Sequence, residues 1–319
     1  MLYVGVDAGN GAFKIYGEPG GLETLSQVAS DSGQRMANTL GMRKQKPPLR
    51  IQNGHGSFYI GAGAHDYGRP VENLDVERYN GAPEMTALFH GALTHYILKY
   101  GEIDQPLSIV LGLPQEAFTG ENGDKENLRW MRGQHQWSAN DKDYSLEIVD
   151  VRIAPQANGG LFDYLLDEQG KSIPEHKKAF ASEVGIISIG FGTIELLVVR
   201  NRVPVQRFTT GATAGVRRLL EMINTQQLYS LGEMDIMLRA GQLDISTALP
   251  IWEREVMGIV ERQWGNSWRR FEAVLLMGGG TILLKNSLPQ RFNGKAFAPD
   301  NPVQAISRGL YKMSLLKKE

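Results

Sequence analysis

The sequence contains no cysteine. Disulfide bonds, thiolate zinc sites, iron–sulfur clusters and a cysteine nucleophile are therefore excluded, and any catalytic chemistry must use oxygen and nitrogen groups. Net charge is also nearly absent, because 34 Lys and Arg side chains oppose 35 Asp and Glu side chains, for a formal charge of −1. Sequence-independent binding of nucleic acid requires a cationic field that such a chain lacks. We therefore expect no direct nucleic acid binding.

Long apolar runs are missing as well. The longest run, residues 184–199, contains Glu195 and is shorter than the roughly 20 residues that a membrane-spanning helix needs. The first residues, from Met1 to Asp7, show neither the basic start nor the apolar stretch of a secretory signal. We expect a cytoplasmic protein that does not contact a membrane.

Glycine, in contrast, is abundant. The chain has 37 glycines in 319 residues, roughly 12% against an average of about 7%. A chain of this length is expected to form two domains. Three glycine turns follow apolar, strand-like runs, at residues 9–11, 190–192 and 278–280. The first two turns have the same Gly-x-Gly spacing, which indicates a weak internal repeat that opens each half of the chain.

Strand-like and helix-like segments alternate along the chain. Asn10-Gly11 is typical of a tight turn between two strands with positive φ angles. The apolar periodicity predicts helices at residues 83–97, 160–166, 215–223, 250–264 and 302–316, and a polar stretch at 125–134 is predicted to be helical. This alternation predicts an α/β fold with mixed sheets covered by helices.

One segment departs from the neutral character of the chain. Residues 31–50 contain the basic side chains Arg35, Arg43, Lys44, Lys46 and Arg50 and a single acid, Asp31. We interpret this segment as a solvated loop. A contact with an acidic surface of a neighbouring copy is the alternative.

The glycine turns suggest a nucleotide site. Two hairpin turns that face each other across a cleft can hold a polyphosphate with their amide N–H groups, while a third turn closes over the nucleoside. The sequence has no G-x-x-x-x-G-K-[ST] motif and no G-x-G-x-x-G motif of the dinucleotide-binding type. P-loop and Rossmann sites are therefore not supported.

Five motifs in order resemble a known superfamily. They are DAGNG at 7–11 with Lys14, VLGLP at 110–114, IAPQ at 153–156, ISIGFGT at 187–193 and LMGGG at 276–280. This order is similar to that in the ATPase superfamily of actin, heat-shock chaperones and sugar kinases, and within it to the ParM/StbA-type actin-like proteins. The resemblance implies an actin-like α/β fold of two related domains with mixed sheets that flank a nucleotide cleft. Residues 1–155, completed by a C-terminal helix at about 301–319, would form the first domain and residues 156–300 the second.

The resemblance also implies site residues. Asp7 would hold Mg²⁺ through water, and Gln156 would position the attacking water, so these two are the catalytic candidates. The residues implied for ATP binding are Gly9, Asn10, Gly11, Lys14, Gly190, Phe191, Gly192, Thr193, Gly215, Arg218, Glu221, Gly278, Gly279, Gly280 and Thr281. Each of these residues also has a structural alternative without a nucleotide contact. Lys14 would be a solvent-facing strand residue and Gln156 a polar residue at the start of a helix. Arg218 and Glu221 would be solvated charges on a helix.

One position departs from the family pattern. The plasmid-type members carry an Asp at the start of the second phosphate turn, where this chain has Ser188. Ser188 is therefore a doubtful metal ligand, and the loss of a carboxylate predicts slow hydrolysis with intact ATP binding.

The resemblance implies an actin-like ATPase that binds Mg-ATP, hydrolyses it slowly and assembles into filaments. The expected partners are other copies of the chain and a DNA-binding adaptor, in plasmid or DNA segregation or another prokaryotic cytoskeletal role. A small-molecule phosphotransferase of the same superfamily and a weakly hydrolysing nucleotide-switch scaffold are the alternatives. The preference for ATP over GTP and the filament architecture stay open.

Overall fold

The computed structural model describes residues 1–33, 46–73, 75–118 and 129–316. Two β-sheets organise these residues. The first sheet contains ten strands: β1 (Leu2–Ala8), β2 (Ala12–Gly17), β3 (Gly20–Leu25), β4 (Val28–Ser30), β5 (Leu49–Asn53), β6 (Gly56–Ile60), β7 (Arg69–Pro70), β8 (Leu107–Leu113), β9 (Gly133–Ala139) and β10 (Lys142–Pro155). Their order across the sheet is β3-β2-β1-β8-β10-β9-β5-β6-β4-β7.

The second sheet contains six strands. They are β11 (Glu183–Ile189), β12 (Ile194–Arg200), β13 (Val203–Pro204), β14 (Thr210–Ala212), β15 (Ala273–Met277) and β16 (Ala296–Phe297). Five of them follow the order β13-β12-β11-β15-β16, and β14 pairs with β12. β11 and β15 are apolar along nearly their whole length because helices cover both faces of this parallel pair.

The two sheets share one strand pattern. β2 is antiparallel to both β1 and β3, and β1, β8 and β10 run parallel. Likewise, β12 is antiparallel to both β11 and β13, and β11, β15 and β16 run parallel. This correspondence explains the repeated Gly-x-Gly turns, which lie after the first strand of each hairpin. The predicted α/β fold with two related mixed sheets is confirmed.

Among the described residues, seven α-helices accompany the sheets. They are α1 (Pro83–Tyr100), α2 (Gln156–Leu165), α3 (Val216–Ile223), α4 (Leu231–Arg239), α5 (Leu249–Trp264), α6 (Gly280–Leu283) and α7 (Ala305–Ser314). We call the ten-stranded sheet with α1 the first lobe and the six-stranded sheet with α3–α6 the second lobe. Each lobe has its own apolar core.

Helices α2 and α7 lie between the lobes. Apolar residues of α2, such as Leu161, pack on the second sheet, whereas Leu310 of α7 packs on the first. The two helices cross at glycines: a Cβ added to Gly309 would lie 1.7 Å from the carbonyl oxygen of Gly159. The sequence predicted that α2 begins at residue 160, which is too late, because Gly159 and Gly160 resemble a loop. In the structure, Gly159 allows α7 to approach closely and Gly160 allows β15 to do so.

A buried ion cluster fixes this helix pair. The Asp163 carboxylate of α2 accepts two hydrogen bonds from the Arg308 guanidinium of α7, both at 2.6 Å, and a third from Lys312 at 3.0 Å. Asp163 and Lys312 are both buried. Removal of one partner would leave a buried charge uncompensated, so the cluster ties α7 firmly to α2.

Two predicted segments fall partly outside the described residues. Of the segment predicted to be helical at 125–134, residues 125–128 lie outside, Arg129–Met131 is a 3-10 turn and Gln134 belongs to β9. The helix prediction is therefore wrong for the described part. Of the basic segment, Arg35, Arg43 and Lys44 also lie outside, while Arg50 pairs with Asp31 at 2.8 Å. In the described part of the chain, every helix is too short or too polar to cross a membrane.

Candidate functional site

A cavity of about 750 Å³ lies between the two lobes. This volume is within the range of small-molecule sites. Most of the predicted site residues line it: Asp7, Gly9, Asn10, Gly11, Lys14, Gln156, Ser188, Gly190, Phe191, Gly192, Thr193, Arg218, Glu221, Gly278, Gly279 and Gly280. The fold thus brings all three glycine turns to one place.

Gly215 and Thr281 do not line the cavity. Gly215 lies behind the second turn, where a Cβ would be 2.5 Å from the Phe191 carbonyl oxygen. Thr281 is buried, and its hydroxyl donates a hydrogen bond to the Gly278 carbonyl at 2.7 Å. Both residues therefore support turns from behind.

Asp7 is held by two partners at the end of β1. Asp7 and Lys14 are cross-strand neighbours in the first hairpin, and the Lys14 ammonium lies 2.8 Å from Oδ2 of Asp7. The Gln156 amide, at the start of α2, donates to Oδ1 of Asp7 at 2.8 Å. Asp7 is only 2% exposed, so the lysine and the amide together compensate a buried carboxylate.

The first two turns touch each other across the cleft. A Cβ on Gly11 would lie 2.5 Å from Cβ of Phe191, and a Cβ on Gly192 would lie 2.8 Å from the Asn10 side-chain nitrogen. Neither Asn10 nor Gly11 has a positive φ, so that expectation is wrong. Close approach of the opposite turn, rather than backbone conformation, requires the glycines here.

The third turn lies beside the second. Gly278 has a φ of 85°, which favours glycine, and its N–H donates to the Pro302 carbonyl at 2.8 Å. A Cβ on Gly280 would be 2.3 Å from Cγ2 of Ile189, at the end of β11. The turn therefore packs tightly against the strand that carries the second turn.

The charged residues of α3 form ion pairs at the cavity wall. Arg218 lies 3.3 Å from Glu255 of α5, and Glu221 lies 2.8 Å from Arg217. Arg217 also lines the cavity, although the sequence did not single it out. All four side chains are partly exposed, so the solvated-charge interpretation and a nucleotide contact both stay open for Arg218 and Glu221.

Glu195 and Tyr79 also line the cavity and were not assigned to the site from the sequence. Glu195 is 6% exposed, and its Oε1 accepts the Gln115 backbone N–H at 3.2 Å. An acid inside the longest apolar run was the signal that could have found it. Tyr79 donates its hydroxyl to the Ala8 carbonyl at 3.0 Å, and burial raises the pKa of this phenol. No pattern in the sequence marks Tyr79.

Side chains beside the cavity connect the two lobes. Gln27 donates its amide to the Gly232 carbonyl of α4 at 2.9 Å and accepts the Gly63 N–H at 3.2 Å. Arg239 of α4 lies 2.8 Å from Asp235 on the same helix and 3.3 Å from Glu23 of the first lobe. Burial raises the pKa of Asp235, and the Arg239 charge opposes that shift.

The donor set of the cavity fits a magnesium–polyphosphate complex better than a protein-only metal site. Among the described residues, no group of three or more His, Asp or Glu side chains could hold a metal ion. Mg²⁺ in phosphate sites is usually held by one or two carboxylates, water and the phosphates themselves. The Asp7 carboxylate beside two amide-lined turns matches that requirement.

The chain matches one family model in its N-terminal half. The model describes the N-terminal domain of actin-like proteins and matches residues 5–159. No curated protein matches the sequence of the chain.

Solved structures match the chain over nearly its whole length. The apo psk41 ParM protein is 15% identical with a TM-score of 0.75, and the alignment covers 98% of this chain and 96% of that one. A 15-stranded ParM filament from Clostridium botulinum is 17% identical with a TM-score of 0.74, covering 98% of both chains. Ta0583, an archaeal actin homologue in complex with ADP, is 16% identical with a TM-score of 0.70, covering 98% and 99%. At these identities, the likeness establishes the fold.

Proposed function

We propose that this chain is a ParM-type actin-like protein that binds Mg-ATP between its two lobes, hydrolyses it slowly and assembles into filaments. The observation that carries this proposal is the meeting of three glycine turns at one cavity that also contains Asp7, Lys14 and Gln156. Amide-rich turns bind phosphates, and a carboxylate beside them suits Mg²⁺.

The residues that line the cavity have separate roles in this proposal. Asp7 holds the Mg²⁺ of the nucleotide through water, and the amides of residues 9–11 and 190–193 contact the phosphates. Lys14, now paired with Asp7, exchanges that contact for a phosphate. Gln156 orients the attacking water with its amide, which cannot remove a proton, and hydrolysis is therefore slow.

The proposal of self-assembly rests on solved structures with a similar fold. Two of the matched structures are described as filaments, the 15-stranded ParM filament and the Alp12 filament, the latter with a TM-score of 0.62. In the proposed protomer, residues 1–155 form the first domain together with a C-terminal segment at about 301–319 that contains α7, and residues 156–300 form the second. Segregation of plasmid or other DNA through an adaptor protein in the cytoplasm is the cellular role that we propose.

Sedimentation separates this function from its alternatives. The protein is incubated with Mg-ATP, a non-hydrolysable analogue, ADP or no nucleotide, and phosphate release is followed in parallel. We expect pelleting with both triphosphates only, with a turnover below about 10 per second. A monomer in all four conditions would contradict filament formation. Tight binding without phosphate release or pelleting would favour a nucleotide-switch scaffold, which Ser188 in place of an acid also favours.

A further inference from the structure

The second lobe carries a basic surface at the end of its sheet that lies away from the cavity. We call it the basic patch, and its members are the side chains of Arg200, Arg202, Arg207, Arg269, Arg270 and Lys295. On a chain with a formal charge of −1, this cluster is a strong local departure from neutrality. A local excess of positive charge attracts an anionic partner.

Shared contacts hold three members of the patch together. Arg200 and Arg270 both pair with the carboxylate of Glu183. The Arg270 guanidinium also lies 5.4 Å from the centre of the Phe208 ring, and the Arg207 guanidinium lies 4.5 Å from the same centre. Among the described residues, Glu183 is the one acid that pairs with the patch. Most of its positive charge is therefore uncompensated.

Uncharged groups hold the other three members. The Arg202 guanidinium lies 5.0 Å from the centre of the Phe180 ring, and the Arg269 guanidinium lies 5.9 Å from the Trp268 ring. Lys295 donates a hydrogen bond to the Arg269 carbonyl at 2.7 Å. A guanidinium that stacks on a ring keeps its N–H edge available for an anionic group.

The basic patch and the cavity lie at opposite ends of the second sheet. β11 runs from Glu183, at the patch, to Ile189, which precedes the cavity-lining Gly190. The 7 residues of this strand span roughly 20 Å, at about 3.3 Å per residue. The patch is therefore too far from the cavity to contact a nucleotide there.

A complementary acidic surface lies beside the cavity on the first lobe. We call residues 66–77 the acidic segment, because its exposed acids outnumber its single base; these residues are Asp66, Glu72, Asp75, Glu77 and Arg69. Among the described residues, none of these acids forms an ion pair. Both ends of the segment are fixed on the cavity side: the Gly63 N–H donates to Gln27, and the Tyr79 hydroxyl donates to the Ala8 carbonyl at the end of β1.

We infer that the basic patch of one copy binds the acidic segment of a second copy, head to tail. This inference rests on the proposed assembly into filaments. One surface lies beside the cavity and the other at the far end of the second sheet, so the two cannot meet within one copy. A contact between two different surfaces extends into a filament when its rotation does not close a ring. Because both surfaces are exposed, salt should weaken this contact.

Charge reversal at each surface tests the inference. The double variant Arg202→Glu/Arg269→Glu reverses two members of the patch that have no internal ion pair. The double variant Asp66→Lys/Glu77→Lys reverses two acids of the acidic segment. Each full-length variant is sedimented in Mg-ATP, and its critical concentration for pelleting is compared with that of the wild type at low and high salt.

The control has the same change of net charge elsewhere on the chain. Arg132→Glu/Arg254→Glu reverses two exposed arginines that belong to neither surface. Circular dichroism and titration with a fluorescent ATP analogue check that every variant folds and binds nucleotide. The control should assemble like the wild type.

We expect each reversed variant to raise the critical concentration about tenfold or more, because like charges then face each other. An equimolar mixture of the two reversed variants should pellet at nearly the wild-type concentration. In such a mixture, the reversed patch of one copy meets the reversed acidic segment of the next. Higher salt should raise the critical concentration of the wild type.

Three outcomes would overturn the inference. Two of them leave the proposed function in place: wild-type pelleting of the patch variant, and a mixture that assembles no better than its components. The third is a gel shift of duplex DNA by the wild type that the patch variant loses while its assembly is unchanged, because the patch would then bind nucleic acid. A wild type that stays monomeric in Mg-ATP would instead contradict the proposed function itself and remove a second copy as the occupant of the patch.

Discussion

The Lys14 ammonium lies 2.8 Å from the Asp7 carboxylate, across the first hairpin. Asp7 is almost completely buried, and the Lys14 side chain is 14% exposed, so solvent screens this pair little. Both residues also line the cavity between the lobes. The pair therefore compensates the buried carboxylate and holds in place the two charges that the proposed metal-bound phosphate would engage.

Lys14→Met should weaken both stability and binding. The variant leaves the Asp7 carboxylate without its cation, and we expect unfolding in urea to need about 1.5–3 kcal/mol less free energy. ATP affinity should fall as well. Lys142→Met is the matched control, because Lys142 pairs with Glu102 at the same 2.8 Å but both side chains are more than half exposed. Its cost should be much smaller, because solvent screens an exposed ion pair, and equal costs for the two variants would contradict the proposed importance of burial.

Gln156→Ala should separate hydrolysis from binding. The variant removes the amide that donates to Asp7 and that would orient water, so we expect phosphate release to slow about a hundredfold. ATP affinity should change only a few-fold, because the glycine turns remain. Gln156→Glu keeps the size of the side chain but places a second carboxylate against the Asp7 carboxylate, which can only accept hydrogen bonds. Because the two carboxylates repel each other, we expect this variant to bind Mg-ATP more weakly. Hydrolysis at the wild-type rate in Gln156→Ala would remove Gln156 from the catalytic candidates.

The sequence could predict those parts of the site that depend on local structure. The turns at 9–11, 190–192 and 278–280 were found because glycine follows an apolar strand in each case, and Lys14 faces Asp7 because hairpin register is local. The repeated turns also predicted a weak internal repeat, and the two sheets share the strand pattern that such a repeat implies. The positive φ expected at Asn10-Gly11 was wrong because the constraint on Gly11 comes from Phe191, far away in sequence.

Contacts between the lobes could not be predicted in this way. Glu195 reaches Gln115 and Gln27 reaches Gly232 only because α2 and α7 hold the two sheets in one arrangement. No residue spacing in the chain encodes that arrangement directly. Glu195 could be noticed in the sequence as an acid within an apolar run. Its contact with Gln115 of the first lobe could not be predicted.

Gly11→Ala should prevent the two phosphate turns from meeting. The new methyl group would lie 2.5 Å from Cβ of Phe191, a distance that forces the turns apart. Gly211→Ala is the control, because Gly211 is an exposed residue of β14 that does not line the cavity and its added methyl group would meet no atom within 4 Å. We expect ATP affinity to fall at least about tenfold for Gly11→Ala, in line with an overpacking cost of 1–3 kcal/mol. Calorimetric titration checks this, and similar affinities for both variants would contradict the close-approach argument.

Gln27→Ala should loosen the contact between the two lobes. Gln27 is buried, and its amide holds the Gly232 carbonyl of the second lobe and the Gly63 N–H of the first. Loss of these bonds removes about 0.5–1.5 kcal/mol each, so we expect nucleotide to dissociate roughly 2- to 10-fold faster. Stopped-flow displacement of a fluorescent nucleotide measures this rate.

The control is Gln52→Ala, on an exposed position of β5. If Gln27→Ala binds more weakly but releases nucleotide at the wild-type rate, the bridge does not limit opening. Faster release in Gln27→Ala alone would identify separation of the lobes at α4 as the step that frees the nucleotide.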